Sequence, residues 1–410
     1  MSILLDLSYW GVFAEPVPRG RLANAGRSVP VSKMDLSALT KASLTATPSG
    51  ERVLIAVDDP EHVQETGLLY QQPLAGPVRV FAYAVNATVK AGKAQDMTLG
   101  VAVQAPSGST ASVTVQRSGS ANGVSSGPYA VSMLAAERWM ATLYSILPGS
   151  TVILNPGQTQ EFASARMPAI ANPQQTGYPG YVANIILDID IQPAGSEPAT
   201  VLVYARQPAA AGTPTIPSNQ LGSTHTPPTR GLFPIADVAV SATAGMDSWV
   251  PLPAGLMPQQ GVSFVDGAAA ATNAGFGVFW TASLAVSASA TAIPAPRYAA
   301  VGMGPASPYG IQTGAFWTQG NNQTILSVVA PPGSGLLLPG QAMQLGTVPV
   351  GQSASVRWMG TGGIGYPVGI YVLTPQTRTG QILSVAGVGA VAGLAGLVGY
   401  AAGAGARAGG

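Results

Sequence analysis

The chain contains no cysteine and only two histidines, His62 and His225. The first absence excludes a disulfide framework and a thiolate metal site. The second excludes a three-histidine metal centre within one chain. Charge is equally scarce: 9% of the 410 residues are Asp, Glu, Lys or Arg, where about a quarter is usual. A typical cytosolic enzyme carries many more surface ions. With a net charge of +1 there is no electrostatic footprint for nucleic acid. The densest basic group, Arg19, Arg21 and Arg27 with Lys33 further on, reads as a solvated or peptide-binding N-terminal arm.

Catalytic patterns are missing too. There is no G-x-S-x-G elbow to support a Ser–His pair. The run Gly360-Thr-Gly-Gly-Ile-Gly365 lacks the Lys-Ser/Thr that completes a phosphate loop. Two groups of carboxylates are the remaining candidates. Asp188 and Asp190 alternate on an expected strand and so face one side; with the turn residue Glu197 they are either Ca²⁺ ligands, an acid/base pair or a solvent-facing polar stripe. The stripe is the expectation, because half-buried strands alternate apolar and polar. Asp58, Asp59, Glu61 and Glu65, around His62, form an acidic loop that is either a weak Ca²⁺ site without EF-hand spacing or merely polar. No catalytic residue, cofactor or metal site is assigned, and a non-enzyme is expected.

What the chain has in quantity is apolar and small. Hydrophobic residues make up 47%, with 51 Gly and 35 Pro, which excludes a charge-rich disordered chain. A surface covered in Thr, Ser and Gly suits packing against other surfaces. The hydrophobic period is 2. Strands are expected at 52–57, 78–90, 97–104, 110–117, 182–192 and 200–206, then at 236–243, 276–287, 324–330, 342–348, 354–358 and 367–374. In 78–90, Val78, Val80, Ala82 and Ala84 share one face; Arg79, Phe81, Tyr83 and Val85 share the other. Ala105-Pro-Ser-Gly108 reads as a hairpin-type loop, and Pro193-Ala-Gly195 as a turn. Residues 133–145 have helical composition, with Ser132 as cap, and predict one short helix crossing the end or edge of a sandwich. Phe276, Phe279, Trp280, Phe316 and Trp317 read as core aromatics rather than a sugar-binding stripe.

These spacings imply an all-β protein of two tandem antiparallel β-sandwich, jelly-roll-like domains. Residues 1–50 form an N-terminal arm or the remnant of an export segment, 51–206 the first sandwich, 207–230 a Pro/Gly/Thr linker, 231–375 the second sandwich and 376–410 an apolar Gly/Ala-rich tail. The halves resemble each other weakly. Leu154-Asn-Pro-Gly-Gln158 precedes a strand in the first and Leu338-Pro-Gly-Gln341 in the second; VLVYARQP and VGIYVLTP close them. At the start, residues 3–14 are either the tail of a signal peptide, though no basic region precedes them, or an apolar arm that docks on its own or a neighbouring subunit. At the end, Ile382 to Ala406 is uncharged and matches the roughly 20 residues of a bilayer span. Its glycines suit close helix packing; a flexible tail is the alternative.

Val57-Asp-Asp-Pro-Glu61, Gly67-Leu-Leu-Tyr70 and the run from Val78 to Asn86 resemble exported Firmicutes surface proteins often labelled copper-amine-oxidase-domain-containing. The similarity continues through 97–104, Arg117-Ser-Gly119, 129–141, 273–281 and PVGIYVLTP, covering 56–375 with loose motifs. The resemblance implies export and a surface role, and transfers no functional residue. The copper label belongs to a separate domain, whose three histidine ligands and cofactor-forming sequence this chain lacks. The expected function is therefore an extracellular or cell-surface structural protein that self-associates, with candidate membrane contact at 382–406. A virion coat protein and a glycan-binding module are the alternatives.

Overall fold

The computed structural model describes residues 28–29, 40–90, 93–124, 128–142, 149–169, 181–208, 215–224, 228–245, 248–252, 259–264, 267–272, 275–286, 297–303, 312–319, 322–329, 342–348, 353–360 and 368–373. They are mostly β, with one α-helix, Pro128–Ala141, among them.

In chain order, Gly67–Leu74, Gly76–Asn86, Met97–Gln104, Ala111–Val124, Ser150–Leu154, Thr159–Met167, Tyr181–Pro193 and Ala199–Arg206 are dealt into two sheets. The first, third, sixth and eighth of these strands form a four-stranded sheet, in the spatial order sixth, third, eighth, first. The fifth, fourth, seventh and second lie in that order in a nine-stranded sheet, which Val53–Val57 extends by running parallel to Gly76–Asn86. Beyond it come Gly231–Phe233, Gln259–Ser263 and Ala269–Thr272.

The later strands repeat this order. Numbered afresh, Ser248–Leu252, Arg297–Met303, Ala342–Val348 and Val368–Leu373 are first, third, sixth and eighth; they again lie sixth, third, eighth, first. Asn322–Val329, Gln312–Gln319, Ser353–Gly360 and Phe279–Val286 again lie fifth, fourth, seventh, second. Asp237–Ala244 runs parallel to Phe279–Val286, as Val53–Val57 does to Gly76–Asn86. The Pro-Gly turn at 155–158 joins the fifth and sixth strands of the first set; its counterpart at 338–341 lies outside the described residues, just before the sixth strand of the second.

The alternation along Gly76–Asn86 explains the layering. Val78, Val80, Ala82 and Ala84 point toward the four-stranded sheet and join Leu99, Val101, Val103, Val201 and Val203 in one core. Phe81, Tyr83 and Val85 point the other way, into a second core with the helix and with Val238, Val240, Phe279 and Leu284. Both faces are buried, so this strand is apolar on both sides except at Arg79 and Asn86. Each fully buried aliphatic side chain contributes about 1.5–3 kcal/mol.

The helix carries Val131, Ala135, Ala136, Trp139 and Met140 on its core side, a 3.6-residue stripe. It lies across the face of the nine-stranded sheet, not at the end of a sandwich. Gly119 permits that approach, since a Cβ there would fall 2.2 Å from the Ala135 carbonyl oxygen. The helix starts with Pro128, suited to a first turn. Ser132, expected as the cap, is buried inside it.

Two connections differ from expectation. Residues 105–108 make no hairpin: Met97–Gln104 pairs with Thr159–Met167 and Ala199–Arg206, whereas Ala111–Val124 pairs with Ser150–Leu154 and Tyr181–Pro193. The loop crosses from one sheet to the other, and Ala105 is buried in the core between them. The second difference is in the expected linker, whose described part is docked. Leu68 N–H donates to Asn219 O at 2.7 Å, and Leu221 N–H to Leu68 O at 2.9 Å. Leu221 is buried, and Ile216 packs on Leu68, Leu202 and Tyr204.

Candidate functional site: a buried ionic joint

Where the second core meets the nine-stranded sheet, five charged side chains converge. Arg79 and Asp188 are direct partners on adjacent antiparallel strands, and Arg117 is opposite Asp188 on the other side. All three point into the layer shared with the helix and with Asp237–Ala244. A β-bulge at Gln116 brings that residue and Arg117 onto this side together. Arg52, just ahead of Val53–Val57, and Asp237, at the head of its own strand, complete the cluster.

Arg79 and Asp188 are both fully buried. The guanidinium forks onto the carboxylate: Nε donates to Oδ1 at 2.7 Å and Nη2 to Oδ2 at 3.0 Å. Nη1 turns to the next layer, donating to Ala236 O at 2.8 Å and Gly277 O at 3.3 Å and pairing with Asp237 Oδ1 at 2.9 Å. Gly277 has φ +75°, and a Cβ there would fall 2.6 Å from Phe81 Cβ, so the two layers meet here backbone to side chain. The Arg79 guanidinium lies 4.6 Å from the centre of the Trp139 ring and 5.8 Å from that of Phe279. Arg52 bridges Asp237 at 3.1 Å and Asp188 at 3.7 Å, and donates to Gln116 Oε1. Arg117 reaches Asp188 at 3.7 Å and sits over Trp139 at 5.2 Å.

Burial alone pulls the Arg79 pKa down; Asp188 and Asp237 more than reverse this and leave it raised. Arg117 is lowered, by burial first, with Arg79 and Arg52 adding repulsion that Asp188 offsets in part. A buried guanidinium fully engaged by forked carboxylate and carbonyl contacts fixes geometry; it neither transfers a proton nor attacks a substrate. The arrangement is a joint.

The sequence candidates fall in three places. Asp188 is no solvent-facing residue: it is the anionic centre of the joint, because the face it shares with Arg79 is covered by a second layer. Asp190 is partly exposed and accepts from Gln192 Nε2 at 2.9 Å, while Glu197 is exposed; neither meets Asp188 in a common site. The acidic loop is tied to Ser223 and Thr224 of the expected linker. The Asp59 carboxylate, fully buried, accepts from Thr224 N–H at 2.6 Å, Thr224 Oγ1 at 2.9 Å and Ser223 Oγ. Burial first, then Glu61 and Asp59, push the Asp58 carboxyl well above its ordinary range. His62 and Glu65 are exposed, and His225 lies outside the described residues. Among the described residues no three metal-ligating side chains stand close enough to hold an ion. Phe279 and Trp280 are buried and Phe276 stacks on Phe81 at 6.1 Å; the side chains of Phe316 and Trp317 lie outside the described residues, as do 362–365.

Arg52, Arg79, Arg117 and Asp237 were not read as a site from sequence. Their signal was present: in a chain with 9% charged residues, Arg79 and Asp188 each interrupt a long apolar strand. No family model matches the chain, and no curated protein sequence matches it. Among the described residues no helix is long and apolar enough to cross a membrane; 382–406 lies outside them.

Proposed function

We propose that the chain is the building block of a protein shell, a virion coat subunit made of two tandem jelly rolls. The observation that carries this reading is the repeated strand order, sixth-third-eighth-first in one sheet and fifth-fourth-seventh-second in another, in both sets. Such an order suits two interleaved Greek keys in a two-sheet jelly roll, an architecture used by capsid proteins, lectins and cupins. Two further observations favour the coat among these. The space between the sheets of the first unit is filled by aliphatic side chains, which suits a rigid wall better than a ligand barrel. The second unit is held on the first by a buried ionic joint, so the two act as one block with a fixed relative orientation. On this reading the protein works by assembly, without catalysis.

A sparsely charged surface agrees with a subunit whose sides are covered by neighbours. The cell-surface reading, supported by the resemblance to exported proteins, shares self-association and differs in geometry: open fibres or layers in place of closed particles. Sedimentation velocity on the purified full-length chain tests the proposal. A discrete boundary far above the 41.3 kDa monomer is expected. A monomer at all concentrations and salt conditions contradicts it.

A further inference from the structure

Leu44–Pro48 stands just ahead of the first unit in the chain, yet its hydrogen bonds go to the second. It pairs antiparallel with Asp237–Ala244, Thr45 opposite Ser241 and Thr47 opposite Ala239. Ser49 N–H donates to Asp237 O at 2.9 Å. Thr40–Lys41 and Ser28–Val29 likewise add short strands to the other sheet of that unit. Ala42, Leu44 and Ala46 are half-buried against the core that contains Val238, Val240 and Ala242. This margin of the second unit therefore needs an apolar strand laid along it.

The turn that sends the arm there is Ser49-Gly50-Glu51-Arg52. Gly50 has φ +82° and open space around it. Beyond it, Arg52 is pinned to Asp237. A left-handed residue in open space is a natural hinge, because only glycine adopts it without strain. An extended Gly50 would carry the same arm away from its own body.

We infer that the arm is an exchangeable strand: in the assembled protein, Leu44–Pro48 of one copy completes the second unit of a neighbouring copy. The inference rests on the assembly reading above. Closed and exchanged arms make the same ladder, so the balance is set by the hinge and by how close the neighbour is held. A shell holds neighbours at short, fixed distances, and each second unit then depends on the copy beside it.

The absence of cysteine makes the test direct. Thr45 and Ser241 are both exposed and face each other across the ladder, with Cα atoms of antiparallel partners about 4.5–5.5 Å apart, within disulfide reach. The full-length Thr45→Cys/Ser241→Cys variant is oxidised after assembly and run on a denaturing, non-reducing gel. Exchange predicts covalent dimers and longer ladders from the assembled fraction. Internally bridged monomers alone from assembled material overturn the inference and leave the assembly reading standing; failure of the unaltered chain to assemble removes both. Should the double variant fold poorly, co-assembled single variants Thr45→Cys and Ser241→Cys give the same answer, since only exchange bridges two copies. Gly50→Val, which disfavours the closed turn, is expected to raise the ladder fraction several-fold at equal protein concentration; an unchanged or smaller fraction contradicts the hinge.

Discussion

Arg79 and Asp188 face each other across two antiparallel strands, and both are sealed from solvent by a helix and a sheet that belong to other parts of the chain. A surface pair of this kind would contribute little. Sealed, it makes removal of either partner costly.

Asp188→Asn takes the forked counter-charge from a buried guanidinium, leaving it only Asp237, and is expected to destabilise the protein by about 3–5 kcal/mol, read from urea denaturation. A double variant, Arg79→Met with Asp188→Leu, is expected to recover most of that loss, because the desolvation of both charges is removed with their attraction. A single Asp188→Asn cost below about 1 kcal/mol would mean the pair is not sealed.

Gly119→Val is expected to cost about 3 kcal/mol, the upper end for overpacking, because the helix backbone lies where the new side chain must go. Hydrogen exchange should speed up in 128–141 before it does in 97–104. Equal protection in the two segments would place the helix elsewhere.

The architecture was legible where the period is clean. The run from Val78 to Asn86 fixes two opposite faces by alternation alone, and both faces pack as that alternation implies. The closing strands that hinted at a repeat, Ala199–Arg206 and Val368–Leu373, occupy matching places in the two strand orders. Other features were hidden because they depend on contacts distant in sequence. A loop such as 105–108 has the same composition whether it joins neighbours in one sheet or passes between two. Asp188 looked solvent-facing because nothing local says that Asp237–Ala244 and the helix cover that face. Thr159–Met167 was expected only as a strand after the Pro-Gly turn, without bounds, because this edge strand is half-buried and mixes polar with apolar residues.

The segment 215–224 is expected to resist limited proteolysis in spite of its composition, because Asn219 and Leu221 are paired to Leu68. Asp59→Ala removes the acceptor of Ser223 and Thr224 and should open 219–224 to cleavage, visible as two fragments by mass spectrometry. Ready cleavage of the unaltered chain within 215–224 would contradict the docking.

Asp58 gives stability a pH dependence of defined sign. Its folded pKa lies above its unfolded value, so the folded state holds the proton more tightly. That contribution is fully present below about pH 4, the unfolded carboxyl value, and is lost as pH rises through the folded pKa. Asp58→Asn should therefore be more stable than the unaltered chain at pH 7, with the advantage shrinking toward pH 4. An advantage that grows on acidification would reverse the assignment.

On the proposed reading, two units of one strand order, held together where Arg79 and Arg52 meet Ala236 O, Gly277 O and Asp237, form the repeating block of a closed shell. Electron microscopy of the purified full-length protein under assembling conditions tests it most directly. Closed particles whose wall resolves into paired, similar lobes, two for each chain, are expected. Fibres, flat sheets or dispersed monomers under every condition would contradict it.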